Sequence, residues 1–240
     1  MKKFIIILFL GVISLSLFAQ KNKDNVLNYQ GVDQKKLHFG FTLGLNTMDF
    51  KITPSMNEYG ADSKLLYPEL NDLLTGFHVG IVSNLRLTEF LDLRFLPGIS
   101  LGTRKILFYD ENHNLDREMK IESTFIDLPL LLKYKATRIN NTRPYIIGGV
   151  NVRNDMARNK EFIEEEKAAV YIKMKSFDIY YDLGAGVDFY LTYLKFSFEI
   201  KYSVGMLNVV SSDSYDDDPQ YANSIDKLNS RIFMVSLHFE

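Results

Sequence analysis

The sequence predicts an all-β protein, an eight-stranded antiparallel up-and-down transmembrane β-barrel. Three observations lead to this prediction: strict alternation of apolar and polar residues, unusually long strands, and long connections that alternate with short ones. Strict alternation places successive side chains on opposite faces of a strand. The two faces of such a strand therefore meet different environments.

The clearest alternation runs from Phe177 to Val204. Apolar residues take every second position up to Phe189, and the parity switches after the short stretch 191–193. Two alternating strands joined by a tight turn form an antiparallel hairpin. Each arm has about 12–14 residues, whereas an ordinary strand has ~5–6 and a transmembrane strand needs ~9–11. The hairpin is long enough to cross a membrane.

Each strand of the first half is predicted from apolar residues two positions apart. The predicted strands are 37–45 (Leu37, Phe39, Phe41, Leu43, Leu45), 75–87 (Phe77, Val79, Ile81, Leu85, Leu87), 91–109 (Leu93, Phe95, Ile99, Leu101) and 119–135 (Ile126, Leu128, Leu130, Leu132, Tyr134). Residues 88–90 form a tight turn, and Asn112-His113-Asn114 is a turn signal. Pro97 has no N–H to donate to a neighbouring strand, so we expect a β-bulge there.

The second half follows the same rule. The predicted strands are 144–152 (Ile146, Gly148, Val150, Val152), 177–190, 194–204 and 231–239 (Phe233, Val235, Leu237, Phe239). The charged stretch 154–169 is expected to form a loop with a short helix. Pairing of the last strand with the first would remove both sheet edges.

The connections alternate in length. Those after the first, fifth and seventh strands are long (51–74, 154–169 and 211–229), whereas those after the second, fourth and sixth are short. An outer-membrane barrel with both termini in the periplasm has short periplasmic turns and longer extracellular loops. A soluble β-sandwich gives no reason for this alternation.

Composition excludes several classes of protein. A net charge of −2 over 240 residues argues against nucleic-acid binding. The chain has no cysteine, which excludes a disulfide framework, a thiolate metal site and a cysteine nucleophile. Mean hydropathy is −0.09, which does not exclude a membrane protein, because the lumen face of a barrel offsets its lipid face.

The N-terminus has the pattern of a secretory signal peptide. Two lysines precede the apolar run Phe4–Phe18, and Ala19-Gln20 is the expected cleavage point. An uncleaved anchor is the alternative. The predicted organisation is a signal peptide at 1–19, a periplasmic lead at 20–36 and an outer-membrane barrel at 37–240.

The predicted lumen face carries charges of both signs. Its members are Arg86, Asp92, Arg94, Asp127, Lys133, Asp178, Asp182, Asp188, Lys195, Glu199 and Lys201. An eight-stranded barrel is only wide enough to be filled by its own side chains. A salt-bridged plug is therefore the favoured interpretation, and a conducting pore or proton path is the alternative. The aromatic residues expected at the membrane interfaces are Phe50, Phe90, Tyr109, Tyr134, Tyr145, Tyr190, Tyr193 and Phe239.

No motif predicts catalysis or metal binding. Ser100 lies in a G-x-S-x-G stretch, but the alternation continues through it, whereas a nucleophile elbow needs a sharp strand-to-helix turn. The histidines have no metal-ligand spacing, and His38, His78 and His238 share the lumen parity. The acidic groups around 161–166 and 213–218 are interpreted as solvated surfaces. We predict a protein that is not an enzyme, with no catalytic, cofactor-binding or metal-ligating residues.

Four stretches resemble the outer-membrane β-barrel family of Bacteroidetes-type bacteria. They are LHFGFTLGLN at 37–46, LRFLPGIS at 93–100, IDLPLLLKY at 126–134 and RPYIIGG at 143–149. The opening from Val26-Leu27-Asn28-Tyr29-Gln30 through Asp49-Phe50 is similar to the PorT (also called SprT) proteins. This resemblance implies a component of the type IX secretion system, which exports proteins with C-terminal sorting signals, including proteases and gliding adhesins. It carries over no catalytic residue.

The expected location is the bacterial outer membrane, with both termini periplasmic. The expected partners are outer-membrane lipid and other type IX components, and neither nucleic acid nor a small-molecule substrate is expected. Contacts with those components would use loops 51–74, 154–169 and 211–229 or the lead 20–36. A surface adhesin or small-ligand-binding barrel with no secretion role is the alternative. A lipid-modifying enzyme would need a Ser, a His and an acidic group to converge at one rim.

Overall fold

The structure is a computed structural model that describes residues 27–29, 31, 35–55, 66–70, 73–156, 174–210 and 224–240. Within these residues no helix is long and apolar enough to cross a membrane. Ten strands form one antiparallel sheet. They are β1 (Leu37–Pro54), β2 (Tyr67–Glu69), β3 (Thr75–Arg86), β4 (Leu91–Phe95), β5 (Gly98–Tyr109), β6 (Leu115–Lys135), β7 (Thr142–Asp155), β8 (Phe177–Tyr190), β9 (Lys195–Gly205) and β10 (Ile225–Phe239).

The sheet closes on itself. β1 pairs with β10 on one side and with β3 on the other, and every following strand pairs with its neighbour around the ring. β4 and β5 lie end to end between β3 and β6, so together they make one wall of the barrel. The short β2 only adds to the far end of β5. The barrel wall therefore has eight strand positions, and the predicted fold class is confirmed.

The barrel has two unlike ends. One end carries the three short connections near residues 87–90, 136–141 and 191–194, and we call it the turn end. The other carries the long connections, and we call it the loop end. The predicted loops lie largely outside the described residues, as do the predicted signal peptide and the expected helix at 154–169. Residues 154–155 end β7, and residues 225–229 belong to β10.

The prediction of a β-bulge at Pro97 is wrong. Ser83 faces Phe95 and Gly80 faces Gly98, so the register is the same on both sides of the interruption and no extra residue is inserted. Pro97 still ends the ladder of β4, because it has no N–H to donate. Its carbonyl accepts a hydrogen bond of 2.9 Å from the Ile81 N–H, which keeps the two segments aligned.

An apolar band surrounds the outside of the barrel. On β1 it consists of the exposed residues Leu37, Phe39, Phe41, Leu43 and Leu45, and on β6 it reaches from Ile126 to Tyr134. On β9, Phe198 is 39 % exposed whereas Glu199 is 1 % exposed. The predicted parity of lipid and lumen faces is confirmed on these strands.

Beyond this band, β1, β5, β6 and β10 continue toward the loop end with the opposite pattern. Met48 and Phe50 on β1 point inward and are buried, while Thr47, Asp49 and Lys51 line the outside. Ile106 and Phe108 on β5 are buried in the same way. The faces are unchanged, but the apolar residues move from the outer face to the inner one. We call these segments the extension (47–54, 103–109, 115–124 and 225–232).

Three of the aromatic residues expected at the membrane interfaces are instead inside the barrel. Phe50, Tyr145 and Tyr190 have exposures of 2 %, 3 % and 1 %. Each occupies the inward parity of its strand, and this parity overrides its nearness to the strand end. Tyr134 and Tyr193 are exposed as expected.

Candidate functional site

The interior of the barrel is charged and nearly neutral. Among the described residues, eight cationic and eight acidic side chains are buried inside it. They are Arg94, Arg104, Lys133, Lys135, Arg143, Arg153, Lys195 and Lys201, with Asp92, Asp127, Asp155, Asp178, Asp182, Asp188, Glu199 and Glu240. All the predicted lumen charges are in this set except Arg86, which is half-buried at the turn end.

Arg94 is the centre of the network near the turn end. Its Nη1 lies 3.2 Å from Glu199 Oε2, and its Nη2 donates to Glu240 Oε1 at 2.7 Å. Lys195 Nζ donates to the other oxygen of Glu240, also at 2.7 Å. His238 Nε2 lies 3.3 Å from Glu199 Oε2. One guanidinium thus joins a carboxylate of β9 to that of Glu240, which directly follows β10, and the network crosses the lumen.

A second ion pair lies beside this network. Lys133 Nζ donates to both oxygens of Asp188, at 2.7 and 2.8 Å, and Ser197 Oγ donates to the same carboxylate at 2.6 Å. The ammonium group also lies 3.6 Å from the centre of the Tyr145 ring, within the range of a cation–π interaction. Both charges are compensated, as buried charges must be.

A Ser, a His and a carboxylate converge in the middle of the lumen. Ser100 Oγ donates to Asp127 Oδ2, His78 Nδ1 lies 2.9 Å from Ser100 Oγ, and Arg153 Nε donates to Asp127 Oδ1 at 2.5 Å. The imidazole faces serine and aspartate through one nitrogen, whereas a catalytic relay uses both ring nitrogens. All three groups are buried, at 0 %, 4 % and 1 % exposure, rather than gathered at a rim.

Apolar clusters lie among the charged groups. Val82, Leu96, Leu131, Tyr145 and Ile147 form one cluster, and Met48, Phe125, Tyr180 and Ile232 form another. The largest cluster fills the extension at the loop end, and its members are Phe50, Leu66, Ile106, Phe108, Met119, Ile121, Val209, Ile225 and Leu228. The described side chains therefore occupy the lumen with both ion pairs and apolar clusters. The buried ion pairs agree with the predicted salt-bridged plug, but its apolar clusters were not foreseen.

The outer surface of the extension is polar. Lys105 Nζ lies 3.1 Å from Glu118 Oε1, and Lys120 Nζ lies 3.6 Å from the same oxygen. The hydrogen bond from Lys105 lowers the pKa of the Glu118 carboxyl below its ordinary value. This polarity suits a surface that stands in water beyond the apolar band.

The histidines lie apart from one another. His78 and His238 are inside the barrel, as predicted, and His38 is half-buried near the turn end. His113 stacks on Tyr109 in the turn between β5 and β6, with ring centres 4.8 Å apart. Within the described ranges no group of three or more potential ligands is placed to hold a metal ion. The acidic groups around 161–166 and 213–218 lie outside those ranges.

Residues 18–211 match the family model described as outer membrane protein beta-barrel domain. The chain belongs to this family. Membership in the outer membrane protein beta-barrel family supports an outer-membrane location, and it agrees with the apolar band on the barrel surface. A comparison with curated proteins found no match.

Several solved structures are similar to this member of the family. Neisserial surface protein A is 11 % identical with a TM-score of 0.41, over 85 % of this chain and 98 % of its own. Outer membrane protein AlkL, solved in lipid bilayers, is 11 % identical with a TM-score of 0.40, over 92 % and 95 %. The N-terminal barrel of Pseudomonas aeruginosa OprF is 10 % identical with a TM-score of 0.35, over 82 % and 96 %.

Proposed function

We propose that this outer-membrane barrel is a non-enzymatic component or assembly factor of the type IX secretion machinery. The observation that carries the proposal is the filled lumen. A barrel whose interior holds buried ion pairs and packed apolar clusters acts through its surfaces rather than by passing cargo. The sequence resemblance to PorT proteins supports the choice of machinery.

In this proposal the turn end faces the periplasm and the loop end faces the outside. Short turns on the periplasmic side are the rule for such barrels. Both termini then lie in the periplasm, where the lead 20–36 is available to other components of the machinery. Loops 51–74, 154–169 and 211–229 are the surfaces available outside.

A deletion strain tests this proposal directly. The strain would carry a reporter with a type IX C-terminal sorting signal, and the location and processing of the reporter would be measured. We expect unprocessed reporter to be retained in the periplasm, and the intact gene to restore export. Normal export in the deletion strain would reject a role in type IX secretion.

A surface adhesin or small-ligand-binding barrel is the second candidate. The extension favours it, because four strands reach past the apolar band and enclose their own apolar cluster, which makes a rigid support for the loops. Deleting residues 211–223, while keeping residues 225–229 of β10, separates the two proposals. Loss of adhesion or ligand binding with intact secretion would favour the second candidate.

A further inference from the structure

The predicted lead contacts the turn end of the barrel through Asn28. The Asn28 N–H donates to Asn141 Oδ1 at 2.9 Å, and its carbonyl accepts from Arg138 Nη2 at 2.6 Å. Its side-chain Nδ2 donates to the Tyr190 carbonyl at 3.3 Å. Asn28 therefore binds the turn end through both its backbone and its side chain.

The groups that receive Asn28 are positioned by bonds of their own. Arg138 Nη2 also donates to Asn141 Oδ1 at 3.0 Å, and Arg138 Nε donates to the Asn140 carbonyl at 2.9 Å. The guanidinium lies 3.7 Å from the centre of the Tyr190 ring. The Tyr190 N–H donates to the Asn141 carbonyl at 2.8 Å. The site is thus held in place by the barrel as well as by the lead.

The lead is bent at the point of contact. Tyr29 has a φ of 48°, in the left-handed region that costs a non-glycine residue about 1–2 kcal/mol. Such a conformation persists only where surrounding contacts hold it. The hydrogen bonds of the adjacent residue Asn28 can hold Tyr29 in this conformation.

The contact lies across the ring from the start of the barrel. The Lys36 carbonyl accepts a hydrogen bond of 2.8 Å from the backbone N–H of Arg86 on β3, which is next to β1. Asn28, in contrast, contacts the turn before β7 and the end of β8. β7 is four positions from β1 in either direction around the ring. The lead therefore joins opposite sides of the turn end.

We propose that Arg138, Asn141 and Tyr190 form a peptide-binding site that recognises asparagine, and that its occupant is Leu27–Tyr29 of the same chain. Two of the three bonds use the main-chain N–H and carbonyl, which every residue except proline has. The third uses a side-chain amide donor, which aspartate and leucine lack. A partner that binds the lead through Asn28 must compete with the barrel for it. This proposal does not depend on a role in secretion.

Spin labelling of the full chain, purified from outer membranes and held in lipid vesicles, tests the site. The native sequence has no cysteine, so Leu27→Cys and Ile139→Cys give two defined labels, and both side chains are exposed. We expect an immobilised label at 27 and dipolar broadening between the two positions. Asn28→Ala, which removes one hydrogen bond, is expected to raise the ratio of released to held lead about fivefold. Arg138→Ala, which removes a charged donor, is expected to raise it about tenfold or more.

Three controls give the test its specificity. Arg231→Ala removes an arginine from the extension and should leave the spectra unchanged. Arg138→Lys should give an intermediate release, because an ammonium cannot make the same forked contacts. Asn28→Asp should release the lead, since a carboxylate cannot donate to the Tyr190 carbonyl. Asn28 lies outside the strands, so its variants keep the barrel intact.

Either of two results would overturn the proposal. The first is a freely mobile label at 27 in the chain with native Asn28 and Arg138. The second is a ratio of released to held lead that neither Asn28→Ala nor Arg138→Ala raises above that of the native sequence. If Asn28→Asp is held as tightly as asparagine, the claim of asparagine recognition is wrong.

Discussion

Replacing Lys133 with methionine tests whether the interior charges stabilise the barrel only as complete pairs. Lys133 and Asp188 are buried, with side-chain exposures of 0 % and 1 %, and the ammonium contacts both carboxylate oxygens. Removing one partner of a buried pair costs about 3–5 kcal/mol, because the other charge stays buried. Ser197 still donates to Asp188. We therefore expect a loss near the lower limit, about 3 kcal/mol.

The double variant Lys133→Met/Asp188→Leu removes the whole pair. Because an apolar replacement of a buried pair is often neutral, we expect its stability to lie within about 1 kcal/mol of the native protein. Lys120→Met is the matched control, since that lysine is on the same strand but its side chain is 65 % exposed. Its effect should stay within about 0.5 kcal/mol.

Urea unfolding in lipid vesicles provides the measurement. The chain has no tryptophan, so the folded fraction is best read from the mobility of unheated samples on gels. The reasoning would be refuted if Lys133→Met cost no more than Lys120→Met. It would also be refuted if the double variant were as unstable as the sum of the two single variants.

Three further predictions concern the outer face and the extension. Phe198→Arg, in the apolar band, should cost ~2–4 kcal/mol in the same unfolding assay, and a lipid-phase thiol reagent should label a cysteine placed at 198 but not one at 199; labelling only at 199 would invert the assignment of faces. Leu228→Ala, in the apolar cluster of the extension, should cost ~2–5 kcal/mol and increase protease cleavage at the loop end, whereas unchanged cleavage would contradict a packed extension. Glu118 has a pKa below its ordinary value of 4.5, so its bond with Lys105 should stabilise the protein above pH 4.5, and this stabilisation should be lost as the pH falls through the lowered pKa. The difference in stability between the native protein and Glu118→Gln should therefore shrink in acid. A difference that grew in acid would contradict the prediction.

The barrel could be predicted because its transmembrane strands repeat one simple pattern. Phe177 to Val204 alternates strictly on both sides of the short turn at 191–193, and the structure places β8 and β9 at nearly the same residues. The lumen charges followed from the same parity, since every second residue on those strands faces inward.

The extension was missed on β1 and β10, where its pattern is reversed, whereas the predicted strands 91–109 and 119–135 already covered most of it on β5 and β6. Pro54 and the polar outer residues of β1 suggest a loop, although Met48 and Phe50 begin an inward apolar series. The short β2 has too few residues to show any period. These segments become recognisable only when the search allows apolar residues to change faces within one strand.

The convergence of Ser100, His78 and Asp127 depends on the register between β3, β5 and β6, which sequence alone does not specify. The docking of Asn28 was missed for a different reason. Its partners are more than 100 positions away along the chain, and no local pattern connects them.

The change of apolar face along β1, β5, β6 and β10 sets how deeply the barrel sits in the membrane. Pushing the barrel inward by one pair of residues would bring Thr47 and Asp49 on β1 toward hydrocarbon, and withdrawing it would place Leu45 in water. Both displacements are unfavourable, so the strands resist vertical movement without any anchor from another protein. In the described part of the chain the extension belongs to β1, β5, β6 and β10. A tilt that lowers these strands into hydrocarbon is therefore also unfavourable. Depth and tilt are thus encoded in the strands themselves.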